Sequence, residues 1–144
     1  MNAGLGLFLS FLLAIINQFN FSLESAFLQN DPVQLERLLP QNSPLLITLP
    51  EPFAVSDCFS RQQAFLIIKR LFNQTSTLEF FIDQENQPVF DRQGTIIQAR
   101  WSLSDRRDGR KYLFRLYLYV FPEKSTEKNK ASSLKIKEIR AERR

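Results

Sequence analysis

Histidine is absent from this chain of 144 residues, and cysteine occurs once, at Cys58. A single cysteine cannot form a disulfide within the chain, so oxidation plays no part in holding the fold together. Without histidine, no Cys–His pair can form, and the commonest proton-transferring side chain near neutral pH is missing. We therefore interpret Cys58 as a small buried hydrophobic side chain rather than a nucleophile.

The residue types that hold metal ions are equally sparse. The chain has no histidine, one cysteine and no clustered acidic motif of the kind that binds zinc or calcium. The sequence therefore predicts no metal site and no cofactor.

Lysine and arginine are missing from residues 1–36, whereas residues 105–144 hold thirteen of them against six acids, and the whole chain has a net charge of +4. A basic segment can contact nucleic acid or an anionic membrane. This one carries no recognisable reader helix and no zinc-binding spacing. We interpret it as a solvated edge strand with a short basic C-terminal tail, and we expect no nucleic-acid partner.

The N-terminus carries the longest apolar run, "LGLFLSFLLAII", which follows four residues without a positive charge. The run is too short for an ordinary transmembrane helix, which needs about 20 residues, but it fits the apolar region of a secretory signal peptide. We predict a signal peptide over residues 1–18, export to the periplasm or beyond, and no membrane span after its removal. The missing basic residue and the lack of a clear cleavage site leave a buried N-terminal helix as the alternative.

Helix signals follow the apolar run. Ser22 is a candidate N-cap, and Asp31 followed by Pro32 is typical of a second helix start, so we predict helices over 22–30 and 32–39. A strand over 45–49 comes next, then a loop over 51–58. In "SRQQAFLIIKRLF", Ser60 and Gln63 have the spacing of a capping box, which predicts a helix over 61–73 with one apolar face.

The second half of the chain alternates apolar and polar residues with a period of two, which predicts half-buried strands over 77–83, 95–104, 111–121 and 134–142. The apolar spacing skips one position between Ile136 and Ile139, which indicates a bulge. Helices followed by a run of antiparallel strands describe an α+β fold with the helices on one face of the sheet.

This order of elements resembles the nuclear-transport-factor-2-like superfamily, also called the cystatin-like cone, and within it a group of small exported bacterial domains of unknown function. The phrases that carry the resemblance are "LQNDPVQLERLL", "ITLP", "SRQQAFLIIKRLF" and "IKEIRAE". The resemblance covers about residues 22–142 and implies one domain, over 19–144, in which a strongly curved antiparallel sheet wraps around the long helix.

The resemblance also implies a pocket between that helix and the concave face of the sheet. We expect seven residues to line it: Ala64, Ile68, Phe72, Trp101, Tyr112, Phe114 and Leu116. Such a pocket would hold a small apolar ligand, which makes a non-catalytic binding protein the favoured function.

Enzymes with this fold use carboxylates, tyrosine or histidine inside the cone, and a carboxyl group in an apolar pocket can transfer protons near neutral pH. Asp57, just before the long helix, is the best-placed acid, although a local turn residue is the simpler interpretation. No pair of carboxylates has a spacing that indicates catalysis, so we assign no catalytic residue. A carboxylate-dependent isomerase or hydrolase is the alternative function.

The outward faces of two neighbouring predicted strands mix arginine with tyrosine at Arg100, Arg115, Tyr117 and Tyr119. Both residue types are enriched at protein interfaces. They sit equally well on an exposed strand face. The row is therefore a candidate interface for a protein partner, for example a second copy of this chain in a homodimer. Binding of a protein on this sheet face is the other form of the favoured non-catalytic function.

Overall fold

We analysed a computed structural model that describes residues 3–83, 93–124 and 133–144. Its helices and strands, in chain order, are α1 Ala3–Leu28, α2 Pro32–Glu36, β1 Leu45–Leu49, β2 Val55–Phe59, α3 Arg61–Gln74, β3 Thr75–Ile82, β4 Thr95–Asp105, β5 Lys111–Glu123 and β6 Ser133–Arg143.

The helix starts follow the local chemistry of the sequence. The Asp31 carboxylate accepts hydrogen bonds from the backbone N–H groups of Val33 and Gln34 at 3.1 and 3.2 Å, which caps α2. The Ser60 hydroxyl accepts from the Gln63 N–H while the Gln63 side chain accepts from the Ser60 N–H. The predicted capping box at the start of α3 is therefore confirmed.

The first helix is longer than the sequence predicts. A helix was expected to begin at Ser22, but α1 runs without a break from Ala3 to Leu28. A helix that has begun continues readily, because each added residue gains a hydrogen bond without a new nucleation cost.

Asn30 ends this helical region and ties it to α3 and β3. Its backbone has φ 49°, a left-handed conformation that asparagine tolerates better than most residues. Its side-chain amide donates to the carbonyl oxygens of Phe72 and Thr75 at 3.1 and 2.8 Å and accepts from the Thr77 N–H at 3.1 Å.

The six strands form one sheet in the order β2-β1-β6-β5-β4-β3. The expectation of a wholly antiparallel sheet is wrong for one pair, because β1 and β6 run parallel; the other neighbouring strands are antiparallel. The predicted loop over 51–58 is wrong from Val55 onwards, where strand β2 begins. This short edge strand escapes prediction because its middle three residues are exposed and show no apolar alternation. The predicted bulge in β6 is confirmed, as Tyr119 pairs with Glu138 and Val120 with Ile136.

The core lies between the sheet and the two longer helices. Phe27 of α1 and Phe72 of α3 both contact the Trp101 ring of β4, at centroid distances of 5.1 and 6.5 Å. Both helices therefore pack on the same face of the sheet, as an α+β fold requires. Trp101 is itself 1% exposed, and its indole N–H donates to the Thr77 hydroxyl at 2.9 Å.

Candidate functional site

A small cavity remains between α3 and the sheet, and we call it the core cavity. Its volume is about 20 Å³, which is room for about one water molecule. Its lining is entirely apolar and comes from α1, α2, α3 and four strands: Phe27, Leu35, Ile47, Leu49, Ile67, Ile68, Leu71, Phe72, Trp101, Leu116 and Ile139. A water molecule there would find no hydrogen-bond partner, so the cavity is a packing gap too small for an organic ligand.

The seven residues expected to line a pocket are brought together only in part. Ile68, Phe72, Trp101 and Leu116 line the core cavity, and Ala64 and Phe114 are buried in the surrounding core. Tyr112 is half-buried, and its ring stacks on Phe114 at a centroid distance of 6.0 Å. That these residues line a ligand site stays a prediction.

A larger opening, the α3 cleft, lies between α3, the β1–β2 connection and the β4–β5 turn. Its volume is about 250 Å³, close to the lower limit of about 300 Å³ for small-molecule pockets. Six apolar residues line it together with three polar ones: Leu49, Pro52, Phe53, Val55, Ile67, Leu71, Arg70, Gln74 and Arg107. None of the seven expected pocket residues is among them.

Phe53 joins this cleft to the aromatic core. The β1–β2 connection turns tightly, since the N–H groups of Phe53 and Ala54 both donate to the Pro50 carbonyl at 3.0 and 3.1 Å. The Phe53 ring then lies 6.5 Å from that of Trp101 and 5.8 Å from that of Phe114, centroid to centroid. Phe53 is half-buried, with the aromatic core beside it and the cleft in front of it.

The α3 cleft and the core cavity share a wall. Leu49, Ile67 and Leu71 line both spaces. The two spaces are therefore adjacent, and shortening one of these side chains should deepen the cleft.

The β4–β5 turn places Arg107 at the cleft by means of a buried carboxylate. Asp105 accepts hydrogen bonds from the N–H, Nε and Nη2 of Arg107 at 2.9, 3.1 and 2.9 Å. These bonds favour the charged carboxylate and hold the pKa of Asp105 below its usual value, although burial opposes the shift. The Arg106 N–H donates to the Gln74 carbonyl at 2.8 Å, which fixes the turn against the end of α3.

The electrostatics of the cleft are positive. The Asp105 carboxylate balances Arg107, whose side chain is nonetheless 58% exposed. Arg70 has no ion-pair partner among residues 3–83, 93–124 and 133–144. No acidic residue lines the cleft, so its uncompensated charge is that of the Arg70 guanidinium.

The acid singled out from the sequence lies elsewhere. Asp57 is exposed in the edge strand β2, and its carboxylate accepts from the Cys58 N–H at 2.7 Å. Asp57 lines neither the core cavity nor the α3 cleft. The interpretation of Cys58 as buried is wrong, because Cys58 is exposed in the same edge strand.

The four residues of the candidate interface share the outer face of the sheet. Arg100 of β4 is the direct cross-strand partner of Arg115 of β5, and Gln98 of β4 is that of Tyr117. The Tyr117 hydroxyl donates to Glu142 at 3.4 Å, and the Tyr119 hydroxyl donates to the Gln93 carbonyl. A homodimer through this face stays a prediction.

Comparison with solved structures identifies the fold. The chain is similar to a proposed isomerase from Rhodopseudomonas palustris, with TM-score 0.57, 12% identity and coverage of 88% of this chain and 86% of that one. It is also similar to an NTF2-like protein of unknown function in nutrient uptake from Rhodospirillum rubrum, with TM-score 0.54, 12% identity and coverage of 90% and 98%. A designed NTF2 protein matches with TM-score 0.55, 8% identity and coverage of 88% and 96%.

This chain therefore has the NTF2-like fold, as its resemblance implied. No protein-family model matches the sequence, and no curated protein matches it either. The structural similarity establishes the fold. At identities this low the function has to be inferred from this chain's own residues.

Sequence reasoning missed the residues that form the α3 cleft. Phe53 lies in the segment predicted as a loop, and its position between Pro52 and Ala54 gave one usable signal, a large aromatic ring in an otherwise turn-like stretch. Arg70 is an exposed residue of α3. Nothing in the sequence pairs it with Arg107, because the two come together only when the β4–β5 turn docks on the helix.

Proposed function

We propose that this chain binds a small apolar molecule bearing one carboxylate, in the α3 cleft. The observation that carries the proposal is the composition of that cleft: a volume of about 250 Å³, six apolar lining residues beside a polar rim, two arginines and no acid. Binding sites for small molecules commonly combine an apolar lining with a few polar groups that fix the orientation of the ligand.

The two arginines favour an anionic head group. Arg70 has no carboxylate partner within the described ranges. Arg107 donates to Asp105 through Nε and Nη2, and a guanidinium has five N–H donors in total, so Nη1 is left to contact a ligand. Guanidinium groups match the geometry of a carboxylate particularly well.

The same geometry favours binding over proton-transfer chemistry. Asp105, at the end of β4, is bonded to the cleft residue Arg107, and its pKa is lowered by those hydrogen bonds. A general acid near neutral pH needs a raised carboxyl pKa instead. An isomerase or hydrolase that uses a carboxylate in this fold remains the alternative, and it would need an acid other than Asp105.

Trp101 supplies the assay, because it is the single tryptophan of the chain and its ring lies beside that of Phe53. Octanoate is expected to change the Trp101 emission in a saturable way, and the neutral analogue 1-octanol is expected to bind more weakly. The contact with Arg70 lies at an exposed rim and should contribute about 1 kcal/mol, which is about a fivefold change in Kd.

Two matched variants isolate that contact. Arg70→Gln should weaken octanoate binding about fivefold and leave 1-octanol binding unchanged. Lys69→Gln removes the same charge from the neighbouring exposed position of α3, outside the cleft, and should change neither. Equal effects of the two substitutions on octanoate would contradict a specific contact at Arg70 and leave only a general attraction by net charge.

We also propose that residues 1–18 direct export. Among the described side chains of the first half of α1, the large apolar residues Leu5, Leu7, Phe11 and Leu13 are 57–74% exposed, so the domain offers them no surface to pack against. Within the described ranges, no helix has both the length and the apolar character that crossing a membrane requires. The intact mass of the protein from its native host tests the proposal: loss of this segment supports export, and a full-length product in the cytoplasm contradicts it.

A further inference from the structure

Three arginines surround a second opening, on the face of the sheet opposite the helices. We call it the arginine pocket. Its volume is about 140 Å³, and Arg100, Arg115, Arg144, Leu113 and Phe114 line it. Side chains alternate between the two faces of a strand, and the buried neighbours of Arg100, Ala99 and Trp101, point into the core. Arg100 therefore lies on the outer face, away from the α3 cleft.

The arrangement places like charges against each other. Arg100 of β4 and Arg115 of β5 are direct cross-strand partners, and like charges at such positions destabilise a sheet. The end of β6 brings in a third cation, because the Arg144 N–H donates to the Leu113 carbonyl at 2.9 Å.

None of the three arginines forms a close ion pair within the described ranges. Glu142 is the partner of Arg115 in the β5–β6 register. Its carboxylate instead accepts from the Tyr117 hydroxyl at 3.4 Å, and it does not line the pocket. The Arg100–Arg115 pair breaks a local rule of strand pairing, and natural proteins break such rules mainly at functional or strained sites.

We propose that the arginine pocket binds a phosphate group, either as a free anion or small phosphate ester, or as the head group of a lipid. Guanidinium groups present paired N–H donors that match phosphate oxygens. A bound phosphate would also convert the repulsion between Arg100 and Arg115 into shared attraction. Leu113, which is 43% exposed, adds an apolar contact for the organic part of an ester.

The test is thermal unfolding of the full chain with inorganic phosphate, against sodium chloride at the same ionic strength. A ligand that binds only the folded state raises Tm, so phosphate should raise the Tm of the parent protein above its value in chloride. Arg115→Gln should abolish this increment. In chloride alone the same variant should unfold at or above the parent Tm, because it removes a like-charge pair.

Two further variants separate a site from general attraction. Lys137→Gln removes one positive charge from an exposed position of β6 outside the pocket, and it should keep the full phosphate increment. Arg115→Lys keeps the charge but loses the paired donors, so its affinity for phosphate should fall about tenfold. An equal Tm increment in the parent and in Arg115→Gln would overturn the proposal. So would the absence of any increment together with no Arg115-dependent binding to phosphatidic acid vesicles.

The two sources of phosphate are distinguished by flotation with vesicles of phosphatidylcholine, with and without phosphatidic acid. Binding to the phosphatidic acid vesicles that Arg115→Gln abolishes, without binding of inorganic phosphate, supports the pocket and assigns it to a lipid head group. Binding of inorganic phosphate alone supports it as a site for a small anion. No Arg115-dependent binding in either experiment overturns it.

Discussion

Leu71 separates the α3 cleft from the core cavity, and shortening it should change what the cleft can hold. The side chain lines both spaces together with Leu49 and Ile67. Leu71→Ala removes three carbon atoms from that wall, which should join the core cavity of about 20 Å³ to the cleft of about 250 Å³. Stability should fall while the affinity for a longer ligand rises.

The loss of stability and the gain in affinity should both be large enough to measure. A buried leucine shortened to alanine costs about 2–5 kcal/mol, and Leu71 is half-buried, so we expect about 2 kcal/mol and a Tm lower by about 7 °C. Decanoate has two methylene groups more than octanoate. Burying both in the enlarged cleft is worth about 1.6 kcal/mol, which is about a fifteenfold preference for decanoate.

The assay is titration of both fatty acids into the parent and Leu71→Ala, followed by Trp101 fluorescence, with urea unfolding for stability. Leu66→Ala is the control, because Leu66 lies on the same helix but is 63% exposed; it should change stability by no more than about 0.5 kcal/mol and leave the decanoate preference unchanged. An unchanged ratio of the two affinities in a folded Leu71→Ala protein would refute the shared wall as the limit on ligand length.

Five other substitutions test the fold and its surfaces. Asn30→Gly keeps the backbone freedom needed at φ 49° but loses three hydrogen bonds, so it should cost about 3 kcal/mol in urea unfolding; a cost below about 1 kcal/mol would contradict this role. Gly94→Ala would place a Cβ atom 2.3 Å from the Val120 carbonyl oxygen, whereas Gly109→Ala meets nothing within 4 Å, so the first should lower Tm clearly more than the second, and equal losses would refute the clash. Asp105→Asn should be less stable than the parent at pH 7, with a difference that shrinks as the pH falls through the lowered pKa of Asp105; a pH-independent difference would show that the charge plays no part. If the outer face of the sheet forms a dimer, Tyr117→Glu should lower the sedimentation coefficient, and a parent protein that is already monomeric would exclude this dimer.

The features that the sequence predicts correctly depend on local chemistry. The Asp31–Pro32 helix start and the Ser60–Gln63 capping box are fixed within a few residues. The bulge in β6 is predicted by a one-position shift in the alternation of apolar and polar residues. Each of these can be predicted because the groups that form the contact are close together in the chain.

The features that were missed depend on contacts between distant segments. The parallel pairing of β1 with β6 joins residues about 90 positions apart, and no local pattern reports it. The α3 cleft likewise needs the β1–β2 connection, α3 and the β4–β5 turn in one place. No local pattern marks Asp105 as buried, because its burial depends on the docking of the β4–β5 turn, which the Arg106–Gln74 hydrogen bond holds in place.

A ¹H–¹⁵N correlation spectrum recorded during titration with octanoate tests the ligand site most directly. We predict progressive, saturable shifts for the backbone amides of the non-proline residues in 49–55, of residues 67–74 and of Arg107, which surround the α3 cleft. Amides of the outer sheet face, such as that of Arg140, should not move. Shifts confined to the outer face, or no saturable shift at all, would contradict the α3 cleft as the site where this protein binds an apolar carboxylate.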